Sequence, residues 1–254
     1  MAYRCPMELI FTYKAYVVGA AFVGLFGLER WFPAAPAHWK PMRWLRNLSV
    51  AFVNFLLGPL IVLPLSGYAA THGLGFRPSW WNMAFDLIVM DAWIYGWHRL
   101  NHEMPILWRF HEVHHLDETL DTTTGLRFHF GEVVLSALVR GLLIWILSIP
   151  LVTVFVFETL VVLTALFQHS NLKLPLMFEM WLSKLIVTPR LHWMHHHALR
   201  EDTDSNYATI LSVWDALFRS RSRNTRHGEM VMGVEGKKDE GLFALLWSPF
   251  RLRR

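Results

Sequence analysis

The sequence predicts an all-α, polytopic membrane protein with about four to five membrane-embedded helices and a histidine-rich helical cap on the cytosolic side. Of the 254 residues, 54% are hydrophobic and only 17% are charged, whereas soluble domains carry about 25% charged residues. Eleven of the 14 histidines lie between positions 98 and 197. A polytopic protein of this size is normally one unit, so residues 1–254 are expected to form a single integral-membrane domain.

Five apolar stretches are candidates for membrane-embedded helices. In chain order they cover residues 13–32, 47–70, 80–97, 133–149 and 151–168. The last two are about 26 Å long at ~1.5 Å per residue, and Pro150 separates them. They form either a tight transmembrane hairpin or one kinked pair that does not cross fully.

Charge and hairpin geometry together predict the orientation. If both arms of the hairpin cross, all histidine clusters lie on one side of the membrane. Lys40, Arg43 and Arg46 follow the first stretch, and the C-terminal part is rich in arginine. Because positive loops stay in the cytosol, the histidine face is predicted to be cytosolic and the N-terminus to lie outside. The first stretch lacks signal-peptide features and is expected to be retained.

Composition also excludes several kinds of site and partner. The single cysteine, Cys5, rules out iron–sulfur and cysteine-based zinc sites. The net charge of +4 accompanies long apolar stretches, which favours anionic lipid over nucleic acid as a partner. No nucleic-acid partner is therefore expected.

The histidines form three clusters with metal-ligand spacing, H-x3-H once and H-x2-HH twice. Residues three or four apart share a helix face, so each cluster can direct its rings toward one site. A histidine at the end of the fifth stretch is a ninth candidate. The predicted ligands are His98, His102, His111, His114, His115, His169, His192, His195 and His196.

Nine imidazoles are too many for one ion, since structural zinc takes four ligands and catalytic zinc takes three plus water. The number predicts two ions, each with four or five nitrogens and an open position. Imidazole binds iron, copper, zinc or nickel, and the spacing favours iron over zinc only weakly.

These three boxes, in this order, resemble the fatty acid hydroxylase/sterol desaturase superfamily of membrane di-iron oxygenases. The resemblance covers about residues 91–218, half of the chain. It includes Asp91 and the aromatic residues before His98, the connection 105–111, and the segment 124–132. The closing pattern Asp204-Ser-Asn206-Tyr207 with Trp214-Asp215 is also similar. Phe130 stands where the family usually has proline.

The resemblance implies two iron ions, with O2 as co-substrate, and hydroxylation or desaturation of a lipid C–H bond. It also implies electrons from a reductase through a carrier protein of ferredoxin, rubredoxin or cytochrome b5 type. The substrate would enter from the bilayer. The sequence leaves open which lipid is used and which of the two reactions occurs.

Five polar residues are candidates to hydrogen-bond and orient the ligands. Asp91 lies nearly two turns before the first box, and it either bonds a ligand imidazole or packs against Arg99 or a neighbouring span. An intramembrane carboxylate needs a partner, and Arg140 is the predicted ion-pair partner of Glu158. The five candidates are Asp91, His129, Glu132, Asp204 and Asn206.

Two alternative functions are weighed against the oxygenase. His111-Glu112-x-x-His115 also matches the zinc-protease pattern in which the glutamate is the general base. The zinc-protease interpretation leaves most of the other histidines unexplained. A non-enzymatic haem or metal carrier is the second alternative, but bis-histidine haem needs opposed histidines within spans, and these clusters gather at one end.

Overall fold

The structure is a computed structural model that describes residues 6–36, 40–75, 77–78, 81–227 and 229–251. Over these residues the chain is helical and has no β-strand beyond three isolated bridges. The predicted all-α fold class is confirmed. The long helices are α1 (Pro6–Trp31), α2 (Pro41–Thr71), α3 (Met83–Glu103), α4 (Pro105–His115), α5 (Phe130–Leu147) and α6 (Leu151–His169). The short helices are α7 (Leu176–Leu182), α8 (Pro189–His195), α9 (Arg200–Thr203), α10 (Val213–Leu217) and α11 (Leu242–Trp247).

Within the described residues, three helices are long and apolar enough to cross a membrane: α2, α5 and α6. Only 6% of the most apolar part of α2 is buried in the protein, so its side chains are available to lipid. Helix α2 contains a π turn at Gly58–Val62, which includes Pro59. The turn forms there because a proline removes one backbone donor from the helix. The predicted count of four to five embedded helices stays a prediction.

The ends of the helices follow from local sequence. The Asn82 side chain caps α3 by accepting from the backbone N–H groups of Ala84 and Phe85. Proline at position 105 opens α4 immediately afterwards. Ser148, in the left-handed region at φ 53°, ends α5, and α6 begins after Pro150. The chain therefore reverses sharply between α5 and α6.

A buried apolar core holds α3 against α5 and α6. Met90, Ile144 and Phe157 come from these three helices and are fully buried. Beside it, the predicted pair of Arg140 and Glu158 is present, at 3.0 Å. This packing brings the C-terminal ends of α3 and α6 and the N-terminal end of α5 to the same end of the bundle.

A buried charge network fixes the loop between α4 and α5. Arg43 of α2 bonds both Asp117, at 2.5 Å, and Asp121, at 2.6 Å. Further along the loop, Arg127 pairs with Asp239 from the C-terminal region at 2.5 Å. Burial raises the pKa of Asp117, but the Arg43 and Arg127 guanidiniums outweigh it and hold that pKa at about 2. The loop following the second histidine box is thus tied to α2 and to the C-terminal segment.

Candidate metal centre

The nine predicted ligands meet at this end of the bundle in two adjacent groups. Within each group, one ligand atom per residue lies within 4.8 Å of every other. The stacked rings of His115 and His196, 4.3 Å apart, connect the two groups. The first group is His98, His102, His111, His115 and His195; the second group is His114, His169, His192 and His196.

The second and third boxes each contribute to both groups. In the second box, His111 and His115 are four residues apart and share the first group, whereas His114 belongs to the second. The third box reverses the pattern, because His192 and His196 share the second group and His195 belongs to the first. Neighbours in an HH pair point about 100° apart around a helix, which explains why each pair divides.

Four rings of the first group have Nδ1 bonded to an oxygen. The backbone carbonyls of Tyr207 and Ser205 accept from His98, at 2.7 Å, and from His195, at 2.6 Å. The other two rings bond carboxylates. Glu132 accepts from His111 at 2.9 Å, and Asp204 accepts from His102 at 3.3 Å.

Backbone carbonyls orient two of the four rings of the second group. The Arg127 carbonyl accepts from Nδ1 of His114 at 3.1 Å, and the Ala165 carbonyl accepts from Nδ1 of His169 at 2.6 Å. The Nε2 atom of His169 lies at the centre of this group. It is 2.9 Å from Nε2 of His114, 2.9 Å from that of His192 and 3.2 Å from that of His196.

The hydrogen-bond pattern leaves ring nitrogens that require a cation. His98 and His111 each donate through Nδ1, so both Nε2 atoms carry lone pairs, and these atoms lie 3.1 Å apart. His114 and His169 repeat the arrangement with their Nε2 atoms 2.9 Å apart. Two lone pairs at this distance repel unless an ion lies between them. Ligands at right angles on one ion are roughly 3 Å apart when metal–nitrogen bonds are ~2.0–2.1 Å.

Burial keeps the imidazoles neutral, as metal ligands must be. Burial lowers the pKa of His195 to about 3, with the neighbouring His111 and His169 adding to that effect. The pKa values of His115 and His196 are also lowered well below the usual value by burial and by their histidine neighbours. Both groups therefore present unprotonated nitrogens at neutral pH.

Two of the five predicted orienting residues, Glu132 and Asp204, bond a ligand imidazole, and the other three lie elsewhere. Asp91 accepts from the Leu211 N–H at 3.1 Å and from Trp214 Nε1 at 2.7 Å. Within the described residues, Asp91 hydrogen-bonds neither a ligand imidazole nor Arg99. The segment following α9 returns to cover α3 at this point and supplies the partners of Asp91 instead.

His129 and Asn206 stabilise the surrounding backbone. The Nδ1 atom of His129 caps α5 by accepting from the Gly131 N–H at 2.9 Å, and its Nε2 donates to the Leu246 carbonyl at 3.0 Å. This cap starts α5 at Phe130. Asn206, at φ 51°, donates to the Leu191 carbonyl at 2.9 Å and ties its loop to α8.

Glu112, the general base of the protease alternative, contacts residues outside the two groups. Its carboxylate accepts from Trp108 Nε1 at 3.2 Å and pairs with Lys237. The two histidines of that motif, His111 and His115, share the first group with three further imidazoles. A catalytic zinc keeps three protein ligands, so this arrangement disfavours the protease.

Residues 83–220 match the family defined as fatty acid hydroxylase. The match spans both histidine groups and the residues that orient them, and it covers more than half of the chain. The chain belongs to the fatty acid hydroxylase family. It is consequently an oxidoreductase of the hydroxylase and monooxygenase class and a membrane protein, rather than a protease or a carrier.

Curated relatives come from bacteria and vertebrates. The chain is 27% identical to the ornithine lipid hydroxylase OlsE of Rhizobium tropici over 265 residues, 98% of this chain and 78% of OlsE. It is 32% identical to alkylglycerol monooxygenase of Danio rerio over 221 residues, 78% of this chain and 45% of that protein. Cholesterol 25-hydroxylase of Mus musculus is 25% identical over 136 residues, 52% of this chain and 43% of that enzyme. No solved structure matches the chain.

Proposed function

We propose that this chain hydroxylates or desaturates a lipid C–H bond with O2, using two iron ions held by the first and second groups. The observation that carries the proposal is the division of nine buried imidazoles into adjacent groups of five and four. If each ion is six-coordinate, the first group leaves one coordination position open and the second group leaves two. Open positions on nitrogen-ligated iron are typical of oxygenases.

Iron is preferred to zinc because the relatives include a monooxygenase and zinc has no redox chemistry. When bound, the ions would supply the activation of O2 needed to attack an unactivated C–H bond. The chain's own residues hold and orient the ligands: Glu132 fixes His111 and Asp204 fixes His102. The burial of both groups keeps bulk water away from the site.

The proposed substrate is a lipid taken from the bilayer. The named relatives act on an ornithine lipid, an alkylglycerol and cholesterol, which supports the class without choosing one lipid. We further propose a multi-pass protein with its histidine face in the cytosol, where a ferredoxin-, rubredoxin- or cytochrome b5-type carrier could deliver electrons from a reductase. The end of α3 carrying His98 and the end of α6 carrying His169 lie together, as this topology requires.

The test is O2 consumption by the purified protein supplied with a lipid extract, a carrier protein and its reductase. Products are identified by mass spectrometry, where one added oxygen indicates hydroxylation and two lost hydrogens indicate desaturation. Chelation should abolish the activity, and ferrous iron, but not zinc, should restore it. Restoration by zinc, or a product formed without O2, would overturn the proposal. The matched negative control is His195→Ala.

A further inference from the structure

A polar cleft opens beside the first group, on the far side of its ligand His102. The cleft has a volume of about 490 Å³, within the size range of small-molecule and lipid-head-group sites. Its charged lining residues are Arg99, Glu103, Arg200, Asp204 and Arg219. We call it the arginine cleft.

The arginine cleft lies beside the metal centre and is separated from it by the buried side chain of His102. His102 forms part of its wall, and Asp204, whose side chain is 36% exposed, bonds Nδ1 of His102 at 3.3 Å. Tyr207, whose backbone carbonyl orients His98, lines the same cleft. A molecule seated in the cleft would lie beside Asp204, which bonds His102 of the first group.

The cleft also borders the part of the protein predicted to lie in the membrane. Trp214 of α10 bonds Asp91, and the ring of Phe218 stacks on Tyr95 at 5.1 Å. Asp91 and Tyr95 belong to the predicted stretch 80–97. Phe218 lines the cleft and is 51% exposed, and Leu217 beside it is 63% exposed. The cleft thus lies where an apolar surface meets a charged one, and the predicted membrane-embedded stretch 80–97 would place it at the depth of lipid head groups.

The charges inside the cleft favour an anion. Two arginines are paired with the two carboxylates, Arg99 with Glu103 at 2.7 Å and Arg200 with Asp204 at 2.6 Å. The third, Arg219, is exposed and has no hydrogen-bond or ion-pair partner among the described side chains. One positive charge is therefore in excess, and it belongs to a guanidinium that can bond phosphate or carboxylate through two nitrogens.

The backbone holds Arg219 in place. Its φ of 56° lies in the left-handed region, which a residue other than glycine adopts at a cost of roughly 1 kcal/mol or more. The adjacent residue Ser220 fixes this turn, because its carbonyl accepts from the Asn206 N–H at 2.8 Å and its own N–H donates to the Asp215 carbonyl at 3.0 Å. The second of these bonds is that of a common helix C-terminal turn, in which Arg219 takes the left-handed position after α10.

We propose that the arginine cleft binds the anionic head group of the lipid substrate, with Arg219 as the residue that bonds the anion. This inference rests on the proposed lipid-oxidising function and narrows its substrate class to lipids whose polar head carries a phosphate or a carboxylate. Head-group binding at the cleft would leave the apolar chain of the lipid free to lie against the exposed Phe218 and Leu217.

The test is a binding titration of the purified, metal-loaded protein in detergent micelles, with no electron donor present. The probes are dioctanoyl phosphatidate, dioctanoylglycerol with the same chains but a neutral head, and inorganic phosphate. Arg219→Gln should weaken phosphatidate binding about tenfold, the worth of one charge-assisted hydrogen bond, and leave dioctanoylglycerol binding unchanged. Arg219→Lys keeps the charge but not the two-nitrogen geometry, so its affinity should lie between those of the native protein and Arg219→Gln. The control is Arg223→Gln, an exposed arginine of the same loop outside the cleft.

Three outcomes would overturn the proposal. One is unchanged phosphatidate binding by Arg219→Gln, and another is an equal loss for both lipids, which would indicate a structural defect. The third is equal affinity for inorganic phosphate and phosphatidate, which would remove the lipid from the assignment. The titration requires no turnover, so a protein that oxidised nothing could still bind phosphatidate. Failure of the proposed lipid oxidation is therefore distinguishable from failure of the cleft proposal.

Discussion

The two imidazole groups have similar burial but differ in what orients them. Side-chain carboxylates from two different segments, Glu132 and Asp204, bond rings of the first group. In the second group, the acceptors for the ring N–H groups are the backbone carbonyls of Arg127 and Ala165. The first group also borders the arginine cleft, whereas the second lies against the packed end of α6.

This difference separates two ways of holding a metal. Two rings of the first group depend on individual side chains, so single substitutions can alter its electronic properties without moving the backbone. The second depends on where the backbone runs, and therefore on the packing of α6 and the charge network around Arg127. Substitutions of residues that orient the first group and of residues that orient the second group should consequently affect different ions.

The largest effect is expected from removing a ligand in either group. His195→Ala and His196→Ala change neighbouring residues that belong to different groups. Each should lower turnover at least hundredfold, because losing a ligand exceeds the ~10–100-fold cost of losing a residue that orients one. Insertion into the membrane should be retained, since metal binding is local. Turnover in detergent and membrane fractionation measure the two effects, and full activity in either variant would refute ligation.

Acidification should affect both groups alike, because burial, which they share, sets the pKa of their rings. The pKa of His195 is about 3 in the folded protein, and burial also lowers that of His192, against ~6.5 in an unfolded chain. Between these values the unfolded chain binds more protons, so the stability of the metal-free protein is present above about pH 6.5 and is lost as the pH falls. Each such histidine should cost about 1.4 kcal/mol between about pH 7.5 and pH 5.5.

The measurement is thermal unfolding of the metal-free protein at both pH values, with the metal-loaded protein as the control. Metal should raise the stability at both pH values and leave this pH dependence nearly unchanged, because the rings in the folded protein bind no proton over this interval with or without the ions. A metal-free protein equally stable at both pH values would contradict the buried, neutral rings.

Glu132→Gln should weaken the first group selectively. The substitution keeps an oxygen that can accept from His111 but removes the negative charge that strengthens this ligand. Metal affinity at the first group should fall about 10–100-fold, measured by competition with a chelator. The second group has no carboxylate among the acceptors for its ring N–H groups, so its ion should be retained. Simultaneous loss of both ions would show that the groups do not load independently.

Gly125→Ala should have a smaller effect, on the second group. A Cβ atom at this position would lie 2.6 Å from the Ala165 carbonyl oxygen, the acceptor that orients His169. Overpacking of this kind costs roughly 1–3 kcal/mol, seen as a lowered Tm, and the displaced carbonyl should reduce metal retention by the second group. Gly96→Ala is the matched control, because nothing lies within 4 Å of its added Cβ. A Tm equal to that of the control would contradict the tight contact.

Local sequence was sufficient to predict helices α5 and α6 and the candidate ligands. The apolar stretches 133–149 and 151–168 closely match α5 and α6, and proline at position 150 marks their boundary. The spacing within the boxes predicted that their rings share a helix face. Nine candidates and two ions followed from the residue types alone.

The division of the boxes between the groups could not be predicted, because it depends on contacts between distant segments. Nothing in the second box alone indicates that His114 meets His169, 55 residues later. The same holds for Asp91, whose partners lie about 120 residues further on. Asp117 was missed as well, although a carboxylate two residues after a histidine box was a usable signal. Its role depends on Arg43, from a different helix.

The central claim is that nine imidazoles converge on two ions, and the most direct test is the metal content of the protein purified from membranes. The account predicts close to two equivalents of iron per chain in the native protein. It predicts close to one in both His195→Ala and His196→Ala, with each variant losing the ion of its own group. A native content of one equivalent, or two equivalents unaffected by either substitution, would contradict it.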